Sequence, residues 1–380
     1  MIYLDNAATT KTAPEVVEAM LPYFTEYYGN AGGIYRLGSE SKKAIVRAKE
    51  TIAQTLGAEA NEIYFTAGGT ESDNWALKAV YEAYRDKGNH IITSKIEHHA
   101  VVHTCEYLEG LGAEVTYLDV DEDGLVDVEQ LERAIRPDTI LISVMYANNE
   151  IGTIQPVREI GEIAAAHDIL FHTDAVQAYG QIPINVEECH IDLLSASGHK
   201  FNGPKGVGFL YIGKKARIRS FIHGGQQERG RRAGTENIPA IVGLDAAVRR
   251  AFRIMEEKAK KECELRDYLI ERIEREIPDA KLNGHRMKRL PGNVNFSFRR
   301  VQGESVLIMM DMQGICASSG SACTSGSLDP SHVLLAIGQS ADLVRGSLRM
   351  TLSEENTKEE MDIVVEELVR IVGKIRGCRM

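Results

Sequence analysis

Residues 191–212 read Ile-Asp-Leu-Leu-Ser-Ala-Ser-Gly-His-Lys-Phe-Asn-Gly-Pro-Lys-Gly-Val-Gly-Phe-Leu-Tyr-Ile, two short apolar runs on either side of a turn rich in glycine and proline. The runs, at 191–196 and 207–212, have the length of buried strands, and the turn between them contains Lys200. A lysine at the end of a buried strand loses hydration, which lowers its pKa, and a neutral amine can form a Schiff base with a carbonyl compound. On these residues alone, a solvated loop lysine is the alternative interpretation.

The length, composition and net charge of the chain indicate which classes of protein it can belong to. The chain has 380 residues, enough for two or three domains, and its 43% hydrophobic and 26% charged residues are typical of a globular protein. A net charge of −11 argues against direct nucleic-acid binding. The first residues lack the basic and apolar regions of a secretory signal, and no apolar run reaches the ~20 residues that span a bilayer. These features predict a cytoplasmic protein without a membrane segment.

Short apolar runs alternate with helical patterns before residue 191. Strands are predicted at 62–65, 90–93, 115–118, 139–146 and 169–172, with helices at 71–85, 97–111, 126–135 and 156–167. Continuous apolar runs, each followed by a helix, predict a parallel sheet covered on both faces. Ligands of such sheets bind at the carboxyl ends of the strands. Eight polar residues follow predicted strands directly: Thr70, His98, Asn149, Asp174, Gln177, Ser197, His199 and Lys200.

The turn at 66–70 reads Thr-Ala-Gly-Gly-Thr and joins a predicted strand to a predicted helix. Glycines let backbone N–H groups approach an anion, and the helix N-terminus adds positive partial charge. A plain helix cap is the alternative for this turn. The residues exclude a nucleoside triphosphate loop and the G-x-G-x-x-G fingerprint.

The remaining segments predict further helices and strands. Pro14 opens a predicted helix that runs to about Tyr28. A long helical stretch at 239–276 has charged faces and is suited to linking two domains. The segment 343–350 is predicted as a strand that contains Arg345, and an amphipathic helix is predicted at 354–376.

The cysteines are scattered and form no C-x-x-C pair. The six residues are Cys105, Cys189, Cys263, Cys316, Cys323 and Cys378. In a reducing compartment, free and mostly buried thiols are expected. Cys316 and Cys323 are seven residues apart, which is not a familiar zinc spacing, and one of the six cysteines is a candidate for a reactive thiol.

One cofactor, pyridoxal phosphate, accounts for these polar groups together. It needs a lysine for its aldehyde, a carboxylate for its ring nitrogen, donors for its phenolic oxygen and a cradle for its phosphate. The residues that would supply these parts are Lys200, Asp174, Gln177, the 66–70 turn, Ser197 and His199.

Motifs spread over nearly the whole chain agree with one family of such enzymes. They lie at 3–10, 69–74, 97–101, 148–152, 173–177, 197–200, 227–235 and 319–325. On these segments the chain resembles the NifS/IscS-type cysteine desulfurases of the class V aminotransferase group. The resemblance implies an α/β protein of PLP-dependent transferase fold type I, which is aspartate-aminotransferase-like. A mainly parallel seven-stranded sheet would form a large domain at 14–257. A small α+β domain would comprise 1–13 and 258–380 and carry the catalytic cysteine loop, at about 316–330.

The resemblance also implies roles for the cofactor-binding residues. Lys200 would form the internal aldimine, His98 would stack on the ring and transfer protons, and Asp174 would pair with the ring nitrogen. The other cofactor-binding residues would be Gly69, Thr70, Asn149, Gln177, Ser197, His199 and Thr235. Of these, Thr70, Ser197 and His199 would hold the phosphate, and Thr235 would reach the phosphate of the neighbouring subunit. A homodimer is therefore implied.

For the substrate, the resemblance implies L-cysteine. Arg345 would grip its carboxylate, for which a bidentate guanidinium is suited, and Asn149 would lie near it. The Cys323 thiolate would attack the substrate sulfur, giving L-alanine and a persulfide on Cys323. The sulfur would pass to an iron–sulfur scaffold or another acceptor protein, and Cys323 is a candidate metal ligand for a transient iron–sulfur cluster.

Alternatives to this activity are a selenocysteine lyase or another class V aminotransferase-type enzyme, and a catalytically idle sulfur-scaffold partner. Two departures from the family pattern concern substrate and partner choice. Residues 30–35 read Asn-Ala-Gly-Gly-Ile-Tyr where Asn-Pro-Ser-Ser-x-His is usual, and Gln226 stands where glycine is more usual.

Overall fold

The structure is a computed structural model that describes residues 1–319 and 330–377. The described helices are α1 (Pro14–Met20), α2 (Pro22–Thr25), α3 (Arg36–Leu56), α4 (Gly69–Tyr84), α5 (His99–Glu109), α6 (Val128–Ala134), α7 (Val157–Ala166), α8 (Gln227–Gly230), α9 (Ile238–Glu276), α10 (Gly303–Asp311), α11 (His332–Ala336), α12 (Ala341–Arg345) and α13 (Lys358–Ile375). The described strands are β1 (Ile2–Tyr3), β2 (Ile63–Thr66), β3 (His90–Ser94), β4 (Glu114–Leu118), β5 (Thr139–Ser143), β6 (Leu170–Asp174), β7 (Leu193–Ser197), β8 (Gly208–Ile212), β9 (Ala280–Leu282), β10 (Asn293–Phe298), β11 (Ile315–Cys316) and β12 (Ser347–Thr351).

A seven-stranded sheet forms the larger of the two main sheets. Its strand order is β2-β8-β7-β6-β5-β3-β4. All neighbours are parallel except β8, which runs antiparallel to both β7 and β2. The prediction of an α/β protein with a mainly parallel seven-stranded sheet is confirmed.

Helices cover both faces of this sheet. Leu194 and Ala196 of β7 belong to a hydrophobic cluster that also contains Ile52 of α3. Leu193, on the opposite face, belongs to a cluster that contains Trp75 of α4. Because successive strand residues point to opposite faces, burial on both sides explains the unbroken apolar runs in the sequence.

A smaller antiparallel sheet, in the order β12-β10-β9, has its own hydrophobic cluster, to which Phe296 and Leu348 contribute. The 39-residue helix α9 contributes Leu244 to a cluster of the large sheet and Leu269 to that of the small one. The long helix therefore contributes to the hydrophobic clusters of both sheets, and its role as a link between two domains stays a prediction. The predicted domain limits stay a prediction.

Two predicted elements differ from the structure. The helix expected from Pro14 to Tyr28 is interrupted after Met20, because Pro22 starts a second short helix and has no N–H to continue the first. The strand expected at 343–350 is wrong in its first half. Residues Ala341–Arg345 form a helix, since Val344 packs among apolar side chains there and Gly346 ends the helix.

In the described ranges, no helix combines the length and the apolar character that crossing a membrane requires.

Candidate active site

A cavity of about 280 Å³ opens at the carboxyl ends of β6 and β7. The side chains and backbone that line it belong to Ala7, Gly69, Thr70, Asp73, His98, Met145, Ala147, Asn149, Asp174, Val176, Gln177, Ser197, His199 and Lys200. The structure thus brings together every predicted cofactor-binding residue except Thr235. They come from five segments far apart in the chain, and the sheet edge gathers them because parallel strands end on one side.

Lys200 ends a short 3-10 turn, Gly198–Lys200, that directly follows β7. Its Nζ donates to the carbonyl oxygens of Ala7, at 2.5 Å, and Ala8, at 2.9 Å. Gln177 donates to the Ala7 carbonyl as well, at 3.0 Å. The N-terminal segment therefore fixes the position of the amine in the cavity.

Asp174 is the last residue of β6 and is 5% exposed. Its Oδ1 accepts the backbone N–H of Val176 at 2.9 Å. Burial raises the pKa of the Asp174 carboxyl to about 6, while the Val176 hydrogen bond and the charge of Lys200 act in the opposite direction. A protonated ring nitrogen beside this carboxylate would form a charge-assisted hydrogen bond.

His98 is the N-cap of α5, and its Nδ1 accepts the backbone N–H of Ala100 at 3.1 Å. Burial, followed by the charge of Lys200, lowers the pKa of His98 to about 4. The imidazole is therefore neutral near pH 7, with its proton on Nε2. A neutral, half-buried ring can stack on a flat ligand and exchange a proton at that nitrogen.

An anion can bind where β2 turns into α4. Gly68 has a φ of 149°, a conformation that favours glycine, and a Cβ on Gly69 would lie 2.5 Å from Cγ2 of Val176. The turn therefore needs two small residues to pass close to the neighbouring loop. Thr70 is the second residue of the 16-residue helix α4, whose first N–H groups have no intrahelical partner, and Ser197 lies across from it.

His199 lies at the same end of the cavity. Its Nδ1 is 3.1 Å from the hydroxyl oxygen of Thr9. Burial, followed by the charges of Lys200 and Lys205, lowers the pKa of His199 to about 4. A neutral imidazole here can donate one N–H to an anion. A second cavity of about 740 Å³ shares Gly69, Thr70, Ser197 and His199 with the first, so this end is the open one.

Arg345, predicted to grip a substrate carboxylate, does not reach this cavity. It is exposed at the end of α12 and is not among the residues that line the cavity. The physical reason is the helix itself, which turns the side chain outward while Val344 packs inward. We therefore withdraw Arg345 as the substrate residue.

Arg349, which sequence reasoning missed, lies in β12, is 1% exposed and touches the site through a cavity residue without lining the cavity itself. Its guanidinium donates to the backbone oxygen of Asn149, a cavity residue, at 3.0 Å and to Oδ1 of Asp5 at 2.9 Å. Among the described residues its buried Nε has no hydrogen-bond partner. The signal was available, because a charged residue inside a fully buried strand needs a reason.

Two further predicted residues lie elsewhere. Thr235 is exposed and lines a separate cavity of about 210 Å³ together with Arg232. Cys323, predicted as nucleophile and candidate metal ligand, lies outside the described residues. In the described part of the chain Cys105, Cys189, Cys263 and Cys316 are free.

Glu97 is a buried acid directly before His98 and gives a testable pH dependence. Its Oε1 accepts from Ser94 Oγ at 2.6 Å and from the Met145 N–H at 3.0 Å, and burial raises its pKa from 4.5 to about 8. Because the folded protein favours the protonated form of Glu97, this carboxyl group contributes its full stabilisation below pH 4.5. The stabilisation is lost as the pH rises from 4.5 through about 8. Glu97→Gln cannot ionise, so its free energy of unfolding relative to wild type should increase from pH 5 to pH 8, by up to about 1.4 kcal/mol per pH unit.

Urea unfolding of the cofactor-free proteins at a series of pH values measures this difference. The exposed Glu122→Gln is the matched control and should follow the wild type at every pH. Parallel pH curves for Glu97→Gln and wild type would mean that Glu97 does not titrate in this range.

Comparison with known proteins identifies relatives over almost the whole chain. The sequence model of the family described as "Aminotransferase class-V" matches residues 2–364. The cysteine desulfurase IscS of Methanosarcina thermophila is 58% identical over 376 residues, which is 99% of this chain and 93% of that protein. The cysteine desulfurase IscS of Clostridium botulinum strain Hall is 54% identical, covering 99% of this chain and 95% of that protein.

Solved structures agree in fold. A NifS-like protein superimposes with a TM-score of 0.93 at 38% identity, covering 98% of this chain and 99% of that one. The structure described as SspA in complex with cysteine superimposes with a TM-score of 0.84, also at 38% identity, covering 94% of this chain and 100% of that one.

Proposed function

The chain belongs to the class V aminotransferase family, and we propose that it is a cysteine desulfurase whose pyridoxal phosphate is held at Lys200. The enzyme removes sulfur from L-cysteine and leaves L-alanine. The observation that carries the proposal is the Lys200 amine, which lies in one cavity with the Asp174 carboxylate and the His98 imidazole. Support for cysteine as the substrate comes from the names of the relatives and from the cysteine bound to SspA.

The residues fit pyridoxal phosphate in their chemistry. An amine for the aldehyde and a carboxylate for the ring nitrogen lie in the same cavity. The open end of that cavity offers a phosphate two glycines at a close approach, a helix N-terminus, and the side chains of Thr70, Ser197 and His199. The two carboxyl groups of the smaller cavity, Asp73 and Asp174, lie within 4.8 Å of each other, and Glu71 of the larger cavity is engaged by Arg232 at 2.9 Å.

When bound, the coenzyme supplies an electron sink for the substrate carbon. Lys200 Nζ, held by two backbone carbonyls, is the group placed to take the α-proton. The Asp174 carboxylate would favour a proton on the ring nitrogen, and His98 Nε2 can receive or return a proton within the same cavity. Asp174, at the end of the buried strand β6, is largely removed from water, which strengthens its charge interactions.

In this proposal the substrate sulfur is transferred to the thiolate of Cys323. The thiolate attacks the substrate sulfur, an S–S bond forms, the C–S bond breaks, and its electron pair stays with the substrate carbon until that carbon takes a proton. The product on the protein is a persulfide, and an iron–sulfur scaffold or another acceptor protein would receive its outer sulfur. A transient cluster ligand at Cys323 remains part of the proposal on the family resemblance alone.

Arg349 replaces Arg345 in our proposal as the residue that binds the substrate carboxylate. We expect Arg349→Lys to raise KM for L-cysteine about 10- to 100-fold with a smaller change in kcat, because lysine keeps the charge but loses the bidentate fork. Steady-state kinetics of alanine formation measure both constants. Arg345→Gln, the matched control four residues away, should keep wild-type values, and a larger KM effect in the control than in Arg349→Lys would return the role to Arg345.

We also propose a homodimer in which Thr235 approaches the phosphate of the partner subunit. Support comes from its position, since Thr235 is exposed and apart from the cavity of its own chain. We propose from the sequence that the protein is located in the cytoplasm. The domain limits, 14–257 for the large domain and 1–13 with 258–380 for the small one, are likewise proposals that rest on the sequence.

Product analysis tests the function. The purified protein with pyridoxal phosphate, L-cysteine and a thiol reductant should develop the coenzyme's absorption band and form alanine and sulfide in equal amounts. A keto acid in place of alanine would favour another aminotransferase-type reaction. A preference for selenocysteine of more than about 10²-fold in kcat/KM would favour the lyase, and a protein that stays colourless with added coenzyme would refute the proposal.

A further inference from the structure

A second buried carboxylate lies beside Asp174. Asp73, on the second turn of α4, lines the same cavity and is 1% exposed. A carboxylate oxygen of Asp73, one of Asp174 and a ring nitrogen of His98 all lie within 4.8 Å of one another. Two carboxylates this close in a water-poor site are strongly disfavoured as two anions. One of the pair must therefore carry a proton over most of the pH range.

The surroundings decide which carboxylate keeps the proton. Asp174 accepts a backbone N–H and feels the charge of Lys200, and both favour its ionised form. Asp73 Oδ1 has no hydrogen-bond partner among the described residues. The charged groups that act on Asp73 are acidic, Asp174 and Glu97, and burial contributes most to raising its pKa.

The base that faces Asp73 supplies no positive charge. His172 Nε2 lies 3.6 Å from Asp73 Oδ1, and both side chains are buried. Burial lowers the pKa of His172 to about 3, so its imidazole is neutral. His98, the third group of the cluster, is neutral for the same reason. Protonation of Asp73 itself is then the way for the protein to avoid an uncompensated buried anion.

Asp73 also begins a chain of hydrogen bonds across three strands. It interacts with Ser195 of β7, and this interaction lowers the pKa of Asp73, although burial and the charge of Asp174 outweigh it and the pKa is raised overall. The Ser195 hydroxyl lies 3.1 Å from His172 Nε2 on β6, and His172 Nδ1 lies 2.9 Å from the hydroxyl of Ser143 on β5. If Asp73 carries a proton, each member can donate to the next. Asp73 donates to Ser195, Ser195 donates to Nε2 of His172, and Nδ1–H of His172 donates to Ser143.

We propose that Asp73 is a positioning residue that stays protonated, orders this chain of hydrogen bonds under the site, and leaves Asp174 as the single negative charge offered to the coenzyme's ring nitrogen. The proposal rests on the proposed function for its ring-nitrogen part. The pairing of β6 with β7 brings the hydrogen-bonded residues close to Asp174. Asp174 pairs with Ser195 across the two strands and lies two residues after His172.

Two variants, Asp73→Asn and Asp73→Ala, test whether the Asp73 carboxyl group of the wild type is protonated or ionised. Asp73→Asn has the shape and charge of the protonated acid, so the pH at which the bound coenzyme's absorption band titrates should stay within a few tenths of a unit of wild type. Removal of a full negative charge that lies within 4.8 Å of Asp174 would instead lower this pH by about two units. Asp73→Ala loses the hydrogen bond to Ser195, and the Kd for pyridoxal phosphate should rise about 5- to 10-fold.

A two-unit shift in Asp73→Asn would overturn the proposal, and so would wild-type titration and affinity in both variants. If Asp73→Ala does not fold, Ser195→Ala, which removes the next member of the chain, takes its place with the same expected loss of affinity.

Infrared difference spectroscopy reads the proton directly in the cofactor-free protein. At pH 8 the wild type should show a C=O stretch of a protonated carboxyl group that Asp73→Asn lacks, while the exposed control Asp86→Asn keeps it. A band unchanged in Asp73→Asn would mean an ionised Asp73 and refute the proposal. Because this measurement needs no coenzyme, failure to bind pyridoxal phosphate would count against the proposed function and not against Asp73.

Discussion

The variant Lys200→Ala should no longer bind pyridoxal phosphate covalently, and its kcat for alanine formation should fall by at least about 10³-fold. This one change removes both the amine that forms the Schiff base and the base that takes the α-proton. Among the residues that line the cavity, Lys200 is the only one with a side-chain amine. Lys200→Arg keeps a positive charge but cannot form the imine, so it should fail in the same way. Loss of activity in both variants would show that the reaction needs the primary amine of Lys200 and not only a positive charge at this position.

Borohydride reduction followed by mass spectrometry of peptides locates the attachment. The wild type should carry the reduced coenzyme on the peptide that contains Lys200. The control Lys214→Ala, which removes an exposed lysine paired with Glu59 at the surface, should be labelled and active like the wild type. A reduced adduct retained at wild-type level in Lys200→Ala would assign the coenzyme to another lysine.

Cys323→Ser should abolish alanine formation, by about 10³-fold or more in kcat, and leave the absorption band of the bound coenzyme unchanged. A hydroxyl at this position is a far weaker nucleophile towards sulfur than a thiolate, so the coenzyme would bind but the C–S bond would not break. The spectrum and the turnover of one protein sample therefore report on separate steps.

Cys316→Ser is the matched control for this variant. Cys316 lies in β11, is partly buried, and pairs with Tyr3 in the sheet. It should show wild-type alanine formation, and after reaction with cysteine only proteins that retain Cys323 should carry a persulfide. Full turnover by Cys323→Ser, or a persulfide on Cys316 in its place, would contradict the assignment of Cys323.

The sequence by itself determined the sheet and the edge that carries the candidate site. Unbroken apolar runs followed by helical patterns identify parallel strands buried on both faces, and polar residues that follow such runs must lie at one edge. For this reason Asp174 and Lys200 could be placed together from the sequence, although they lie 26 positions apart in the chain. The family motifs then named the coenzyme.

The local sequence pattern could not settle which of two arginines contacts a residue of the cavity. Arg345 and Arg349 lie four residues apart in one apolar stretch, and both suit a strand that carries one functional arginine. Only the packing of Val344 turns the first into an exposed helix end and leaves the second inside β12. The choice depends on contacts with residues far away in the chain, which a local pattern does not contain.

The same holds for Asp73 and for the backbone that grips Lys200. Asp73 looks like an ordinary helix acid until α4 packs over β6 and β7 and removes it from water. The carbonyls of Ala7 and Ala8 have no side-chain signature at all, and only the folded chain brings them to the amine across more than 190 positions. Periodicity records which residues are buried, whereas the partner of a buried polar group is decided by the three-dimensional packing that encloses it.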